Sequence, residues 1–224
     1  TEVKDPTKKR ARLPEKYSGL AKKLFEKNQN LIEVLKIQSN RDSLTGVYRR
    51  EFLLKLLSNK LMGGESVALI MIDVDNFKEV NDKFGHRTGD MLLINITNTL
   101  NNHIRMNRKE VRELDILARY GGDEFILLLG GVKDKKTAAK IAEKLRIAVS
   151  ESKFNIDANQ TISKSVSMGV AVSRMGENAD NLIERADMAL YEGKSHDGGD
   201  GHERDLGKRF NVGARRRVPE SKSH

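Results

Sequence analysis

Four carboxylates stand where the sequence pattern predicts strand ends and turns. Asp73 and Asp75 close a continuous apolar run, and Asp123 and Glu124 follow a pair of glycines between two further apolar runs. A carboxylate at the carboxyl end of a buried strand faces the crevice where α/β sheets bind ligands. If these strands are neighbours, the carboxylates converge and repel one another, so a cation must neutralise them. Mg²⁺ does this with oxygen ligands and substrate phosphates.

A purely structural interpretation of the same residues stays open. An acidic turn and a strand-end Asp that caps the next helix have the same spacing as a metal site, and spacing alone favours neither. The two glycines before Asp123 add one argument, because glycines in a turn let a phosphate or a metal approach the backbone closely.

Several common catalytic motifs are excluded. The chain has no Cys, which rules out thiolate catalysis, a disulfide framework and Cys-ligated zinc. Gly193-Lys194-Ser195 is like the end of a P-loop, but the first glycine of that motif would fall at Met188, inside a predicted helix. No GxGxxG motif follows a predicted strand, and no HExxH motif occurs.

The elements that must position the carboxylates alternate between helix and strand. The run 67–75 predicts a strand buried on both faces. The runs 115–120 and 125–129 predict a β-hairpin whose turn contains glycine. The remaining patterns predict helices over 47–61, 76–84, 89–104, 135–151 and 178–194, and strands over 154–158 and 162–172. This order predicts an α/β (α+β) fold in which helices pack on a central mixed sheet.

The two ends of the chain differ from its centre. Residues 1–13 form a polar arm. A mostly apolar set of residues then recurs at alternating four- and three-residue steps: Tyr17, Ala21, Leu24, Asn28, Leu31, Leu35 and Gln38. This heptad pattern predicts a stalk helix over 14–40 that pairs as a coiled coil, with Asn28 fixing its register. A lone amphipathic helix packed on the domain is the alternative.

The charge distribution argues against a nucleic-acid groove. The formal net charge is +9, but residues 1–40 carry +5, the tail 201–224 carries +4, and residues 41–200 sum to zero. The tail contains three consecutive arginines at 215–217, but no aromatic residue is interleaved with them to stack on the bases of a single strand. We expect the basic tail to be flexible.

The sequence also bears on compartment and completeness. No apolar run approaches the roughly 20 residues of a membrane helix, and no signal peptide is evident. With no Cys, these features predict a cytoplasmic protein. Because the sequence starts without Met, we expect it to be a piece of a longer chain.

Five motifs together resemble one family. They are RDSLTG at 41–46, IDVDNFKEVNDKFGHRTGD at 72–90, RYGGDEF at 119–125, SMGVAV at 167–172 and ADMALYEGK at 186–194. In order and spacing they are similar to the GGDEF domain of diguanylate cyclases, over about residues 41–200. The resemblance implies a fold like the palm of polymerases and class III nucleotide cyclases.

The resemblance also implies an activity. The family joins two GTP molecules into cyclic di-GMP and releases two pyrophosphates, with two domains facing each other and two Mg²⁺ or Mn²⁺ ions in each active site. It implies that Asp73, the carbonyl of Val74, Asp123 and Glu124 hold the metals. Asp123 or Glu124 would then assist deprotonation of the 3′-hydroxyl.

The resemblance further implies the contacts to GTP. Asn81 and Asp90 correspond to the guanine readers, and His86 to another substrate contact. The phosphates would be held by Phe77, Lys78, Gly121, Gly122 and Lys194. An Asp carboxylate accepts from the guanine N1–H and N2–H₂ groups, a pair that adenine lacks, so such a site rejects ATP.

Regulation and partners follow from the same resemblance. Arg112 and Asp115 stand at the spacing of the family's inhibitory RxxD site, which implies binding of cyclic di-GMP there and feedback inhibition; the alternative is a surface salt bridge. The stalk implies a homodimer and an upstream sensory domain outside these residues.

The residues after Lys194 depart from the family pattern. The family continues after its Lys with KxxGRN, whereas here Asp197 occupies the place of the Gly, and Gly198 that of the Arg that helps hold the phosphates. Arg204 or another tail residue is a possible replacement. This departure supports a second interpretation, in which a catalytically weak or silent GGDEF domain serves as a binding module for GTP or cyclic di-GMP.

Overall fold

The computed structural model describes residues 19, 23–24, 27–28, 40–106, 115–156, 160–196 and 210–212. The chain divides into two compact units, Thr1–Asn40 and Arg41–His224. In the first unit, the described residues at 19, 23–24 and 27–28 are helical. The predicted arm over 1–13 and the rest of the predicted stalk helix over 14–40 lie outside the described residues, apart from Asn40, which is in a turn.

The second unit is built on a six-stranded mixed sheet with the order β1-β3-β4-β2-β7-β8. Its strands are β1 (Tyr48–Arg49), β2 (Val67–Val74), β3 (Ile116–Gly121), β4 (Glu124–Gly130), β7 (Val166–Val172) and β8 (Phe210–Val212), and β5 (Phe154–Asn155) with β6 (Thr161–Ile162) forms a separate pair. The pairs β1–β3 and β7–β8 are parallel, and the other pairs of this sheet are antiparallel.

Helices cover both faces of this sheet. They are α1 (Arg50–Met62), α2 (Phe77–Phe84), α3 (His86–Met106), α4 (Lys135–Glu151) and α5 (Ala179–His196). The mixed sheet flanked by helices confirms the predicted fold class. No helix within the described residues is both long and apolar enough to cross a membrane.

Strand β2 is buried on both faces, as its uninterrupted apolar run predicts. Ala68, Ile70 and Ile72 pack with α2, α3 and α4 on one face. Leu69 and Met71 pack with α1 and α5 on the other. Because side chains alternate along a strand, Asp73 falls on the face covered by α1 and α5.

A glycine sets the position of α5. A Cβ placed on Gly169 of β7 would lie 2.2 Å from the carbonyl oxygen of Ala186 and 2.3 Å from the backbone nitrogen of Leu190. The helix therefore lies directly on the backbone of β7, a distance that no side chain at position 169 permits. This close packing carries Asp187 and Lys194 to the end of the sheet where Asp73 lies.

The structure differs from the sequence patterns in detail. The predicted strand over 162–172 is two strands, because residues 163–165 leave the ladder and Ser165 contacts Asp75 instead. Helix α3 begins at His86 rather than at 89, directly after Gly85 with φ 83°. Phe210–Val212, within the segment expected to be a flexible tail, pairs in parallel with β7; the rest of 201–224 lies outside the described residues.

Candidate active site

Three central strands bring the predicted carboxylates together. In the sheet register, Asp73 at the end of β2 is opposite Glu124 at the start of β4 and opposite Ser167 of β7. Asp123 precedes Glu124 in the loop of the β3–β4 hairpin. The convergence expected from the sequence is therefore present: the tip of β2 lies beside the acidic hairpin loop.

The hairpin loop is short and is held by an arginine. Gly121 pairs with Glu124, so only Gly122 and Asp123 form the loop, and Gly122 has φ 49°, a region that suits glycine. Arg119 donates from Nε to the carbonyl oxygen of Gly122 at 2.9 Å. Its Nη1 lies 3.2 Å from Oδ1 of Asp42, so the loop is linked to the first residues of this unit.

Asp42, which pairs with Arg119, also accepts hydrogen bonds from Thr45. The backbone nitrogen and the hydroxyl of Thr45 both donate to Oδ1 of Asp42, at 2.9 and 2.6 Å. Partial burial by itself raises the pKa of Asp42, but the hydrogen bonds from Thr45 and the charge of Arg119 outweigh it and lower the pKa. Asp42 is therefore a fixed negative charge to which Arg119 is bound.

The charges at the tip of β2 are unbalanced. Burial raises the pKa of Asp73, and the carboxylates of Asp123 and Asp75 add to this effect, against the lowering influence of Lys194. Burial also raises the pKa of Glu124, and Asp73, Asp123 and Asp187 raise it further. Carboxyl pKa values that are raised by burial and by mutual repulsion indicate a site that attracts cations.

Within the described part of the chain, the positive charge that contacts Asp73 is that of Lys194. Its Nζ lies 2.6 Å from Oδ1 of Asp73, and the Lys194 side chain is 39% exposed. Among the residues that the structure describes, no three His, Asp or Glu side chains are gathered closely enough to hold a metal ion. The donor chemistry nevertheless suits a hard divalent cation, because the neighbouring groups are carboxylates that repel one another.

A cavity of about 430 Å³ opens at these carboxylates. It is lined by Asp73, Glu124, Asp187, Met188, Leu190, Tyr191, Glu192 and Lys194. A second cavity, of about 470 Å³ beside α1, shares Glu124 and Asp187 with the first. The volume of either is that of an ordinary small-molecule site.

The predicted guanine readers lie at the joint between α2 and α3. A Cβ on Gly89 would lie 2.0 Å from Oδ1 of Asn81 and 3.1 Å from Cζ of Phe77. Gly89 therefore lets the first turn of α3 lie against Asn81, next to the exposed Asp90. His86 and Lys78 are also exposed. Neither cavity described above is lined by Asn81 or Asp90.

The two aspartates at the end of β2 have different surroundings. Asp73 contacts Lys194, whereas Asp75 accepts from the hydroxyls of Ser165 and Ser167 at 2.5 and 2.6 Å. The sequence predicts both aspartates at the end of the strand. In the structure, Asp73 is opposite Glu124, whereas Asp75 is not. Val74 between them is buried.

The RxxD pair is described only in part. Arg112 lies outside the described residues. Asp115 immediately precedes β3, and its Oδ1 accepts from the backbone nitrogen of Gly130 at 3.3 Å. Gly198, where the family pattern has Arg, also lies outside the described residues.

Several residues at the site were not singled out from the sequence. Asp42, Arg119, Ser167 and Asp187 all lie within the motifs quoted above, so their positions were available, but no spacing rule connects residues 42 and 119 or 75 and 167. Gly89 likewise sits inside a motif, and its role depends on the approach of two helices.

Comparison with known proteins decides the family. The model for "Diguanylate cyclase, GGDEF domain" matches residues 39–200. The chain belongs to the GGDEF family.

Relatives and solved structures agree with this assignment. Diguanylate cyclase TpbB of Pseudomonas aeruginosa is 37% identical over 161 residues, which are 69% of this chain and 35% of the relative. The crystal structure of diguanylate cyclase SiaD in complex with its activator SiaC, from Pseudomonas aeruginosa, has a TM-score of 0.68 at 33% identity, covering 81% of this chain and 68% of that one.

A second similar solved structure contains a coiled coil as well as a GGDEF domain. The coiled coil and GGDEF domain of DgcB from Caulobacter crescentus, in complex with c-di-GMP, has a TM-score of 0.68 at 25% identity and covers 81% of this chain and 94% of that one. The chain spans only about a third of the length of the curated relatives, 35% for TpbB.

Proposed function

We propose that this GGDEF domain condenses two GTP molecules into cyclic di-GMP and two pyrophosphates as a divalent-metal-dependent nucleotidyltransferase. The observation that carries the proposal is the convergence of Asp73 with the hairpin carboxylates at one end of the sheet. Burial and the neighbouring carboxylates raise the pKa values of Asp73 and Glu124. The names of the curated relatives support the activity.

The carboxylates fit a site for Mg²⁺ or Mn²⁺, with two ions per active site. Asp73, the carbonyl of Val74, Asp123 and Glu124 would hold the ions, which supply charge neutralisation for the phosphates and the attacking oxygen. Lys194, whose ammonium lies on Asp73, is long and 39% exposed, so it can turn from Asp73 to a phosphate. That exchange gives Lys194 a role before and after the substrate binds.

The phosphates have backbone as well as charged partners. Gly121 and Gly122 are exposed and carry no side chain over the hairpin loop, so phosphate oxygens can approach its backbone. Phe77 and Lys78 open α2, where the first backbone N–H groups of a helix favour anions. Lys78 adds an exposed positive charge.

Base selection is assigned to the joint between α2 and α3. Asn81 lies against Gly89, and Asp90 follows it. The carboxylate of Asp90 accepts from the guanine N1–H and N2–H₂ groups, and Asn81 adds an amide contact. Adenine lacks that donor pair, so ATP would leave these acceptors unpaired and is rejected. His86, at the start of α3, is placed at the rim of the nucleotide.

The proposed reaction is a displacement at the α-phosphorus. The 3′-oxygen of one GTP forms a bond to the α-phosphorus of the other. The bond from that phosphorus to the α,β-bridging oxygen breaks, and pyrophosphate leaves. The proton of the 3′-hydroxyl passes to Glu124 or Asp123, and the raised pKa of Glu124 improves a carboxylate as a base. A second, symmetric displacement closes the ring.

This reaction requires two domains face to face. Each domain is assigned one GTP, so neither can supply both the hydroxyl and the phosphate that it attacks. A homodimer joined by the 14–40 helix would hold two domains at high effective concentration. An upstream sensory domain would control their approach. Because GTP is a cytoplasmic nucleotide, the proposed reaction is placed in the cytoplasm.

The direct test is to incubate the purified chain with GTP and Mg²⁺ and to measure cyclic di-GMP. We expect product with GTP, none with ATP, and a specific activity that rises with protein concentration as dimers form. Addition of a chelator should stop product formation. Absence of product at every concentration, with GTP binding intact, would instead support the binding module that the Gly198 departure suggests.

We further propose that Arg112 and Asp115 form an inhibitory site for cyclic di-GMP. Arg offers a planar fork for phosphate or for the guanine edge, and the backbone bond from Gly130 fixes Asp115 at the start of β3. Arg112→Ala should raise the cyclic di-GMP concentration needed for half-inhibition by about tenfold or more, the effect of losing a bidentate charged contact. Undiminished inhibition in this variant would exclude the site.

A further inference from the structure

The turn between β2 and α2 is held in an uncommon conformation. It consists of Asp75 and Asn76, and Asn76 is the single non-glycine residue with a positive φ, 53°, in the part of the chain that the structure describes. Asn tolerates the left-handed region better than most residues do, but it still needs support from its surroundings. The turn delivers the first N–H groups of α2, which the proposed function assigns to phosphates.

Strand β7 provides that support. The backbone N–H of Asp75 donates to the carbonyl oxygen of Ser165 at 3.1 Å. Its two carboxylate oxygens accept from the hydroxyls of Ser165 and Ser167, at 2.5 and 2.6 Å. Ser167 is only 4% exposed, and its bond to Asp75 is partly buried. Three bonds thus fasten one residue of the turn to Ser165, which precedes β7, and to Ser167 within it.

A buried arginine lies within electrostatic reach of the same carboxylate. Arg146 of α4 is 3% exposed, and its Nε and Nη2 donate to Glu143 at 2.8 and 2.7 Å. Its third nitrogen, Nη1, is buried and has no hydrogen-bond partner. The pKa of Arg146 is raised by Glu143 and also by the charge of Asp75. A buried guanidinium with an unused donor needs further negative charge nearby, and Asp75 supplies it.

We propose that Asp75, Ser165, Ser167 and Arg146 form a positioning unit that fixes the turn after β2 in the conformation that receives the nucleotide triphosphate. In this view the aspartates at the end of β2 have separate tasks. Asp73 faces the cation and the hairpin, and Asp75 holds the backbone that connects Asp73 to α2. The identity of the ligand rests on the proposed function, whereas the anchoring of the turn does not.

The main experiment removes both hydroxyls with the double variant Ser165→Ala/Ser167→Ala. Two properties are measured: amide hydrogen exchange of the peptide covering 74–80, and affinity for two probes in the presence of Mg²⁺. The first probe is α,β-methylene-GTP, in which a CH₂ group replaces the α,β-bridging oxygen, so that no pyrophosphate can be released. The second is GMP, which keeps the base but lacks the β- and γ-phosphates. Ser173→Ala is the matched control, because Ser173 accepts from Val67 at the other end of the same strand pair.

The proposal predicts a selective effect. Exchange in the turn should accelerate by about tenfold, and affinity for the triphosphate analogue should fall by roughly tenfold to a hundredfold while that for GMP changes by less than about twofold. Ser173→Ala should match the parent in both measurements. Ser165→Thr, which keeps the hydroxyl, should retain the slow exchange that Ser165→Ala loses.

A second experiment tests the arginine. Asp75→Asn keeps the shape of the side chain and removes its charge, and it is combined with Arg146→Gln in a double-mutant cycle. If Arg146 belongs to the unit, Asp75→Asn accelerates exchange in the turn less in the Arg146→Gln background than in the parent. Equal effects in both backgrounds would remove Arg146 from the unit.

The other outcomes are also decisive. Unchanged exchange in the turn of the double serine variant would overturn the proposal, as would equal acceleration across β4, which indicates a general loss of stability. Faster exchange with unchanged affinity for the analogue would show that the turn does not serve the triphosphate. If the parent chain binds no analogue, the proposed function fails, and the exchange measurements alone decide whether the anchor exists.

Discussion

The two turns that lie side by side at the candidate site are held in different ways. The turn after β2 is fastened by three hydrogen bonds that join Asp75 to Ser165, just before β7, and to Ser167 of β7. The hairpin loop between β3 and β4 is held at Gly122 by one bond from Arg119. Its carboxylates gain no comparable support: burial, Asp73 and Asp123 raise the pKa of Glu124.

The β2–α2 turn is therefore preorganised, whereas the hairpin loop holds carboxylates that repel one another. The β2–α2 turn is built before any ligand arrives, so it can set the position of phosphates without reorganisation. The hairpin stores repulsion between acidic groups, which a divalent cation would relieve on binding. Lys194 moderates that repulsion from one side. We therefore expect the hairpin to depend on the cation and the β2–α2 turn to be independent of it.

The largest effect is expected at Asp123. Asp123→Ala removes one proposed metal ligand, and turnover should fall by about a thousandfold or more, since such a ligand acts on the phosphoryl transition state. Asp123→Glu should retain activity, because the carboxylate is kept. Steady-state formation of cyclic di-GMP measures the effect, and thermal unfolding checks that the fold survives. Full turnover in Asp123→Ala would remove the metal-site argument.

A smaller effect is expected at Arg119, the positioning residue of the hairpin. Arg119→Ala removes the hydrogen bond to the carbonyl of Gly122 and the ion pair with Asp42, so Asp123 should be less well placed. Turnover should drop by roughly tenfold to a hundredfold, and the Mg²⁺ concentration for half-maximal activity should rise. A drop in stability with unchanged Mg²⁺ dependence would indicate a purely structural role.

The smallest effect is expected on stability at Glu124. Its raised pKa means that ionisation is penalised in the folded state. The corresponding stability is present below the ordinary pKa of glutamate and is lost as the pH rises through the raised value. Glu124→Gln should therefore stabilise the metal-free protein at neutral pH by roughly 0.5–2 kcal/mol, and the gain should vanish in acid.

Thermal unfolding at the two pH values measures this gain. Glu151→Gln, on an exposed residue at the end of α4, is the control and should show no such pH dependence. A stability gain for Glu124→Gln that persists in acid would mean that charge repulsion is not its cause.

Much of this arrangement follows from local sequence signals. The apolar run of β2 predicted a strand buried on both faces, and the pair of glycines before Asp123 predicted the hairpin, so the meeting of Asp73 with Asp123 and Glu124 could be expected. The residues that hold the two turns could not. Ser167 meets Asp75 only because β7 pairs with β2, and Asp42 meets Arg119 across 77 positions of sequence.

Contacts between distant residues also account for the differences between the predicted and observed bounds of the helices and strands. Residues 162–172 have an unbroken strand pattern, but Ser165 is engaged by Asp75 and leaves the ladder. β1 has two residues and pairs in parallel with β3, a length at which periodicity carries no signal. Gly89 shows its role only when α2 and α3 are placed side by side.

The most direct test of the account is to locate Mn²⁺ by anomalous X-ray scattering in crystals grown with α,β-methylene-GTP. The account predicts Mn²⁺ bound by carboxylate oxygens of both Asp73 and Asp123, with the ammonium of Lys194 moved from Asp73 onto a phosphate. Mn²⁺ bound elsewhere, with the contact between Lys194 and Asp73 intact and the nucleotide present, would contradict it.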